Sequence, residues 1–253
     1  MKKFVLFSIA VCFLSGCEFL DIDDCLDKGG SWNEQSKVCE LSSTTTTKES
    51  GKSEKDAPKV SDTTKKIEET GKLYSINIEY PVFQNNKKLN EVIQALFKDS
   101  VDNFKNSLKK NKSKVLESVL EGTVETVMDN DEQSSFVYTY YVFTGGNHGM
   151  TNFKTLMYDK KSQKVLSLED VLGSVTELKL KKLSTVVRQK LMKQIEAPDE
   201  KWVQEGTEPK VENFTNFVRT EANELRFYFP QYQVAAYSDG PQVVNIPLSE
   251  LED

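Results

Sequence analysis

The sequence is poor in the residues that most often carry catalysis. Its 253 residues include one histidine, His148, and no Gly-rich phosphate loop, GxSxG motif or HExxH motif. One histidine does not make a typical histidine-rich catalytic zinc site. These absences predict a chain that is not an enzyme and has no metal or other cofactor. A carboxylate pair for glycoside hydrolysis stays open, because a sequence does not show which acids meet in space.

Positive charge is also in deficit, with a net charge of −6 at pH 7. An acidic surface argues against nucleic acid as a partner, since phosphate backbones are bound by basic patches. It would favour a cationic protein through electrostatic steering, or serve only solubility.

The first 16 residues are typical of a bacterial secretory signal: two lysines, a short apolar run and small residues before Cys17. The segment LSGC resembles a lipobox, which implies cleavage before Cys17, its lipidation and attachment to a membrane outside the cytoplasm. The alternative is an ordinary signal peptide with a chance cysteine. In a host with two membranes, Glu18 after the lipidated residue favours the outer membrane.

The chain has four cysteines, of which Cys12 lies in the leader and Cys17 is the predicted anchor. Cys25 and Cys39 remain and predict a disulfide in a small knot over residues 17–40, because disulfides persist in exported proteins. Such a bridge would stabilise the knot by about 3 kcal/mol. A metal knuckle is the alternative, although the spacing does not match a structural zinc site.

Residues 41–70 contain mostly serine, threonine, lysine and acids. A segment that can bury so little predicts a disordered linker. It would tether a folded domain over residues 71–253.

Apolar and polar residues alternate in several segments of this domain, which predicts strands, starting with LYSINIEYPVF. In that segment, Pro81 indicates an edge position or the strand's end. Apolar residues at helical spacing predict a helix over about 87–109. Ser167 with Asp170 and Ser174 with Glu177 are two predicted capping boxes, and the second starts another helix. Further strands are predicted in the last third, including QVAAYS. The expected fold class is α+β, a mainly antiparallel sheet packed by two amphipathic helices.

The segment FTGGNHGMTNF places Gly145, Gly146, His148 and Gly149 between two predicted strands. A catalytic loop would need a second histidine, a free cysteine or a serine elbow nearby, and the sequence has none. Glycines suit positive φ or close backbone approach, so the favoured interpretation is a structural hairpin or bulge. His148 would then contact a carbonyl or carboxylate. A direct ligand-binding role is the alternative.

Aromatic residues are concentrated in two regions, SSFVYTYYVF and the stretch from Phe227 to Tyr237. Aromatic side chains can form a surface that binds sugars or proteins. Burial in the core is the favoured interpretation.

Four separated blocks resemble the RsiV-like extracytoplasmic domain over about residues 71–253. The blocks are YYVFTGGNHGMTNFKTLMYD, KVLSLEDVL, FYFPQYQVAAYSDG and VVNIPLSEL. In anti-sigma factors of this type the resemblance implies lysozyme binding outside the cell. Similar domains accompany a peptidoglycan deacetylase whose catalysis lies in a separate domain.

The chain departs from both patterns. It shows no cytoplasmic anti-sigma segment, no second hydrophobic span and no deacetylase domain with metal-binding His and Asp. We therefore expect a non-enzymatic envelope lipoprotein that binds a lysozyme-like muramidase or peptidoglycan. The alternatives are a structural or assembly lipoprotein, and a peptidoglycan-modifying enzyme or its accessory subunit.

Overall fold

A computed structural model of the chain describes residues 31–33, 38–40, 63–110, 117–173 and 175–251. The predicted leader, Cys17, Cys25 and most of the predicted linker lie outside these residues. The chain divides into two units, residues 1–54 and residues 55–253. Within the first unit, strands β1 (Ser31–Asn33) and β2 (Val38–Glu40) pair antiparallel, and Cys39 is paired with Trp32. Among the described residues, no helix is both long and apolar enough to cross a membrane.

The second unit contains, in its described ranges, nine strands in two sheets. A six-stranded sheet has the order β3-β4-β5-β6-β7-β8, and a three-stranded sheet has the order β11-β10-β9. All neighbours are antiparallel except β4 and β5. The strands are β3 (Thr63–Gly71), β4 (Tyr74–Val82), β5 (Ser118–Asp129), β6 (Gln133–Phe143), β7 (Met150–Asp159), β8 (Lys164–Val165), β9 (Phe217–Arg219), β10 (Glu224–Phe229) and β11 (Gln242–Pro247).

Four helices accompany the sheets among the described residues: α1 (Lys87–Lys110), α2 (Leu168–Leu172), α3 (Glu177–Gln194) and α4 (Glu200–Gly206). Helix α1 lies in the connection between the parallel strands β4 and β5, which cannot be joined by a tight turn. The α+β class is confirmed. The predicted capping box of Ser167 with Asp170 is present at the start of α2. The separate second sheet and helix α4, which is only seven residues long, were not predicted from the sequence.

Side-chain alternation along the strands divides the interior into layers. In β6, Phe136 and Tyr138 belong to the core under α1, whereas Val137 lies in a small cluster with Val218 and Tyr228. The neighbours of Tyr228 in β10 pack instead into the core beneath α3 and α4. The small sheet therefore lies between the large sheet and helix α3, and α1 covers the far side of the large sheet.

Three local predictions need correction. Residues 63–70 of the predicted linker belong, with Gly71, to strand β3, which pairs with β4 along its whole length. Helix α3 takes Thr176 as its N-cap, where the sequence had suggested a capping box starting at Ser174. QVAAYS is not a strand: its first three residues form a turn and a bend, and a short 3-10 helix, Tyr237–Asp239, follows.

Candidate functional site

Four aromatic rings from three segments of the chain meet at the surface of the second unit. We call His148, Trp202, Tyr232 and Tyr237 the aromatic cluster. The ring centroids of His148 and Tyr237 are 3.9 Å apart, and those of Tyr232 and Tyr237 are 5.8 Å apart. The rings of Trp202 and Tyr232 lie within 13° of parallel at 6.4 Å. The Tyr232 side chain is 43% exposed, so the cluster faces solvent.

Hydrogen bonds fix the polar atoms of the aromatic cluster. His148 Nδ1 lies 3.1 Å from the Gly149 carbonyl oxygen, and Nε2 lies 3.2 Å from the Tyr232 hydroxyl. A neutral imidazole protonated at Nδ1 would donate to the carbonyl and accept from the tyrosine, which satisfies both nitrogens. Trp202 Nε1 donates to the backbone oxygen of Tyr232 at 3.0 Å.

The turn that carries Tyr232 is held from three sides. Gln231 Oε1 accepts from the backbone nitrogen of Thr151 at 2.8 Å. The amide of Gln233 donates to the backbone oxygens of Gly206 and Asn213 at 3.2 and 3.0 Å. Tyr232 itself has φ of 70°, a left-handed conformation that costs a bulky residue about 1–3 kcal/mol. A strained aromatic residue held this firmly is typical of a functional surface.

The glycines around His148 are required for two different reasons. Gly145 and Gly146 have φ of 94° and 110° and open space around them, so they serve the turn itself. A Cβ on Gly149 would lie 2.2 Å from the ring of Tyr141, so this glycine admits close approach. Tyr141 is 38% exposed and extends the aromatic surface beside the loop.

The structure thus brings Gly145, Gly146, His148 and Gly149 to one end of the aromatic cluster. Trp202, which contributes from helix α4, was not among the site residues predicted from the sequence. The aromatic residues of the two sequence regions divide between core and surface. Tyr138 and Phe227 are buried, whereas Tyr141 and Tyr232 are exposed.

Acidic, histidine and cysteine side chains do not converge on a metal site within the described part of the chain, where no three of them lie close enough to hold an ion. The predicted Cys25–Cys39 disulfide and the lipidation of Cys17 each need a cysteine outside that part, Cys25 and Cys17, and stay predictions.

Two family models match consecutive parts of the second unit. Residues 67–151 match the model described as deacetylase PdaC, and residues 174–249 match DUF3298, a family described as of unknown function. A solved DUF3298 family protein from Pseudomonas aeruginosa PAO1 has a TM-score of 0.57 and 18% identity, covering 75% of this chain and 92% of that chain. At this identity the likeness shows the fold alone.

A curated relative carries a functional name. The peptidoglycan-N-acetylmuramic acid deacetylase PdaC of Bacillus subtilis (strain 168) is 32% identical over 193 residues, 72% of this chain and 39% of that protein. The chain thus spans well under half of this relative's length. The name and the matching family model contradict the prediction that the chain is not an enzyme, which is withdrawn.

Proposed function

Because this chain carries a deacetylase-associated DUF3298 domain, we propose that it acts on the bacterial cell wall in peptidoglycan deacetylation and binds the glycan at the aromatic cluster. The observation that carries this proposal is the pair of nearly parallel rings of Trp202, which is half-buried, and Tyr232, which is exposed. Tyrosine and tryptophan offer large, rigid contact areas that lose little conformational entropy on binding.

The composition of the cluster suits a sugar. The faces of Trp202 and Tyr232 present apolar area to the C–H groups of a pyranose ring. The Tyr232 hydroxyl, which His148 orients and whose oxygen can still accept a hydrogen bond, supplies a polar group beside it. Ligand sites commonly combine a mainly apolar lining with a few fixed polar groups. Since the turn is already held by Gln231 and Gln233, little ordering is left to oppose binding.

Co-sedimentation of the purified full chain with insoluble peptidoglycan tests the binding step. We expect Tyr232→Ala and Trp202→Ala each to weaken binding about tenfold, because each removes one ring face. Leu178→Ala is the matched control, since Leu178 is 73% exposed on α3 outside the cluster. Unchanged binding in both aromatic variants, with folding verified by circular dichroism, would rule out the cluster as the glycan site.

The catalytic side of the proposal is tested by acetate release. The full chain is incubated with acetylated peptidoglycan with and without added divalent metal ions, and free acetate is measured. Release above the rate of a boiled sample assigns the activity to this chain. Absence of release under all conditions would contradict a catalytic role and leave the binding role to stand on the sedimentation result.

A cationic muramidase of the lysozyme type is the second candidate ligand, favoured by the net charge of −6 at pH 7. Calorimetric titration with lysozyme at low and high salt tests it, because steering by opposite charge weakens as salt screens it. If lysozyme gives no heat of binding at low salt, this candidate is ruled out.

An anchored position outside the cytoplasm is part of the same proposal and is supported by the LSGC segment ending at Cys17. Fatty-acid labelling of the wild-type chain in cells, compared with Cys17→Ser, tests it. Label that persists in Cys17→Ser would contradict lipidation at this residue.

A further inference from the structure

Strand β3 forms one edge of the six-stranded sheet. It runs for nine residues and pairs only with β4, while the opposite edge, β8, has two residues. Along the described part of residues 63–251 no strand pairs with the outer side of β3. A strand edge of this length presents backbone N–H and C=O groups that can pair with another strand.

Charges of opposite sign lie on the two sides of Ile67 in β3. Lys65 and Lys66 precede Ile67, and Glu68 and Glu69 follow it. We propose that two copies of this chain pair antiparallel through β3, with Ile67 on the two-fold axis. Lys65 and Lys66 of each copy then stand opposite Glu69 and Glu68 of the other, which gives four favourable charge pairs.

The charge order selects this register over its neighbours. If the sheet continues through the interface, two residues that face each other across the pair lie on the same side of the sheet. Neighbouring residues of a strand lie on opposite sides, so the two-fold axis must pass between a residue and its own copy in the second chain. Moving the axis to position 66 places Lys66 opposite Lys66, and moving it to 68 places Glu68 opposite Glu68. Parallel pairing in register would set every lysine of the segment against its own copy. Like charges directly opposite are destabilising.

An open apolar groove lies beside the same edge. Its volume is about 420 Å³, and its apolar lining comprises Ile67, Ala95, Phe97 and Val101. Ile67 belongs to both the groove and the proposed axis, so the two grooves meet when the strands pair. The second copy would cover apolar surface that is open in the single chain, which adds burial to the backbone and charge pairing.

One of the paired carboxylates is already fixed in position. Glu69 accepts from Lys105 Nζ at 2.5 Å and from the Tyr74 hydroxyl at 2.7 Å. These hydrogen bonds hold the pKa of Glu69 below its usual value, so it is charged at neutral pH. Lys65 of the second copy would approach a carboxylate whose orientation is set.

Sedimentation equilibrium of the purified full chain with charge-exchange variants tests the proposal. We expect the wild-type chain to dimerise with concentration, less at high salt. Glu68→Lys and Lys66→Glu should each weaken self-association about tenfold or more, because each places like charges opposite twice by symmetry. An equimolar mixture of the two variants should recover dimers. In the mixed pair the new lysine of one variant faces the new glutamate of the other, and the unchanged Lys66 of the first faces the unchanged Glu68 of the second.

The matched control is Glu221→Lys, which makes the same charge change at an exposed turn between β9 and β10. It should dimerise as the wild type does. Lys66 also contacts Glu79 within its own chain, so circular dichroism must show that Lys66→Glu stays folded. The proposal is overturned by a wild-type chain that is monomeric at its highest soluble concentration, by Glu68→Lys dimers as tight as the wild type, or by a mixture that fails to associate.

Discussion

At the level of single residues, Tyr158 places a polar hydroxyl group in the protein core. It is fully buried in β7, and its hydroxyl has no hydrogen-bond partner among the described residues. Burying an unpaired hydroxyl opposes folding, so Tyr158→Phe should raise the free energy of unfolding by about 1 kcal/mol. Urea denaturation measures this difference. A loss of stability in Tyr158→Phe would show that the hydroxyl contributes a contact to the native state.

Tyr138 predicts an alkaline dependence of stability. Burial raises its pKa to about 12, and the hydrogen bond with Ser100 partly opposes that rise. Between the unfolded pKa of about 10 and the folded value, the unfolded chain loses this proton first, so stability falls as pH rises, by up to about 1.4 kcal/mol per pH unit. The contribution is fully present below pH 10.

Tyr138→Phe isolates that effect, because other groups titrate in the same range. We expect the variant to lose stability less steeply than the wild type between about pH 10 and 12. Chemical denaturation at a series of pH values measures the two slopes. Equal slopes would mean that Tyr138 ionises at the same pH in the folded and unfolded chains.

The sequence predicts the roles of the glycines in the site, but not the contacts of His148. The glycines around His148 indicated positive φ or close approach, and the structure shows both, at Gly145 and at Gly149. The partners of His148 were not predictable, because Tyr232 is 84 residues away and reaches it through a turn with positive φ. Periodicity assigns residues to faces of an element, but it does not tell which loops meet.

Among the elements, predictability follows the amount of apolar periodicity. Helix α1 buries Leu89, Ile93 and Phe97 at helical spacing, and its predicted bounds agree with the structure within one residue. Strand β3 has only Ile67 as an apolar residue, so its composition resembles a linker. It is a strand because β4 provides a pairing edge, and that information is not local to β3.

Helix α4 and the turn beneath Tyr232 depend on one glycine. A Cβ on Gly206 would lie 1.9 Å from the backbone oxygen of Gln233. Backbone cannot move aside as a side-chain end can, so Gly206→Ala should destabilise the domain by about 2–3 kcal/mol and disturb the aromatic cluster. Thermal unfolding gives the first effect, and peptidoglycan binding measured where the variant is still folded gives the second.

Gly145→Ala is the control for that experiment. It adds the same methyl group at a left-handed position in open space, so only backbone strain of about 1 kcal/mol is expected. Equal losses in the two variants would mean that the Gly206 contact relaxes without consequence.

At the scale of the whole molecule, the two family regions correspond to two sides of one folded unit. The first, residues 67–151, contains α1 and most of the large sheet, and the second, residues 174–249, contains the small sheet and α3. Val137 and Phe153 from the large sheet meet Val218 and Tyr228 from the small one. This joint couples the two regions through buried apolar contact.

Val218→Ala tests that coupling. Val218 is fully buried at the joint, so losing its two methyl groups should cost about 2 kcal/mol. We expect one unfolding transition at the same denaturant concentration by Trp fluorescence and by far-ultraviolet circular dichroism, shifted down in the variant. Two separate transitions in the wild type would show that the regions fold independently.

The position of β3 has a mechanical consequence. Any tension in the 62 residues before Thr63 enters the domain through this strand. No residue of β3 is fully buried, and Ile67 is its apolar contact with the core under α1, so the strand can separate from β4 with a small loss of core packing. A chain pulled from that end would lengthen first by releasing β3 from β4. This release would limit the force that reaches the aromatic cluster. Pairing of two β3 strands would raise the force needed for this release.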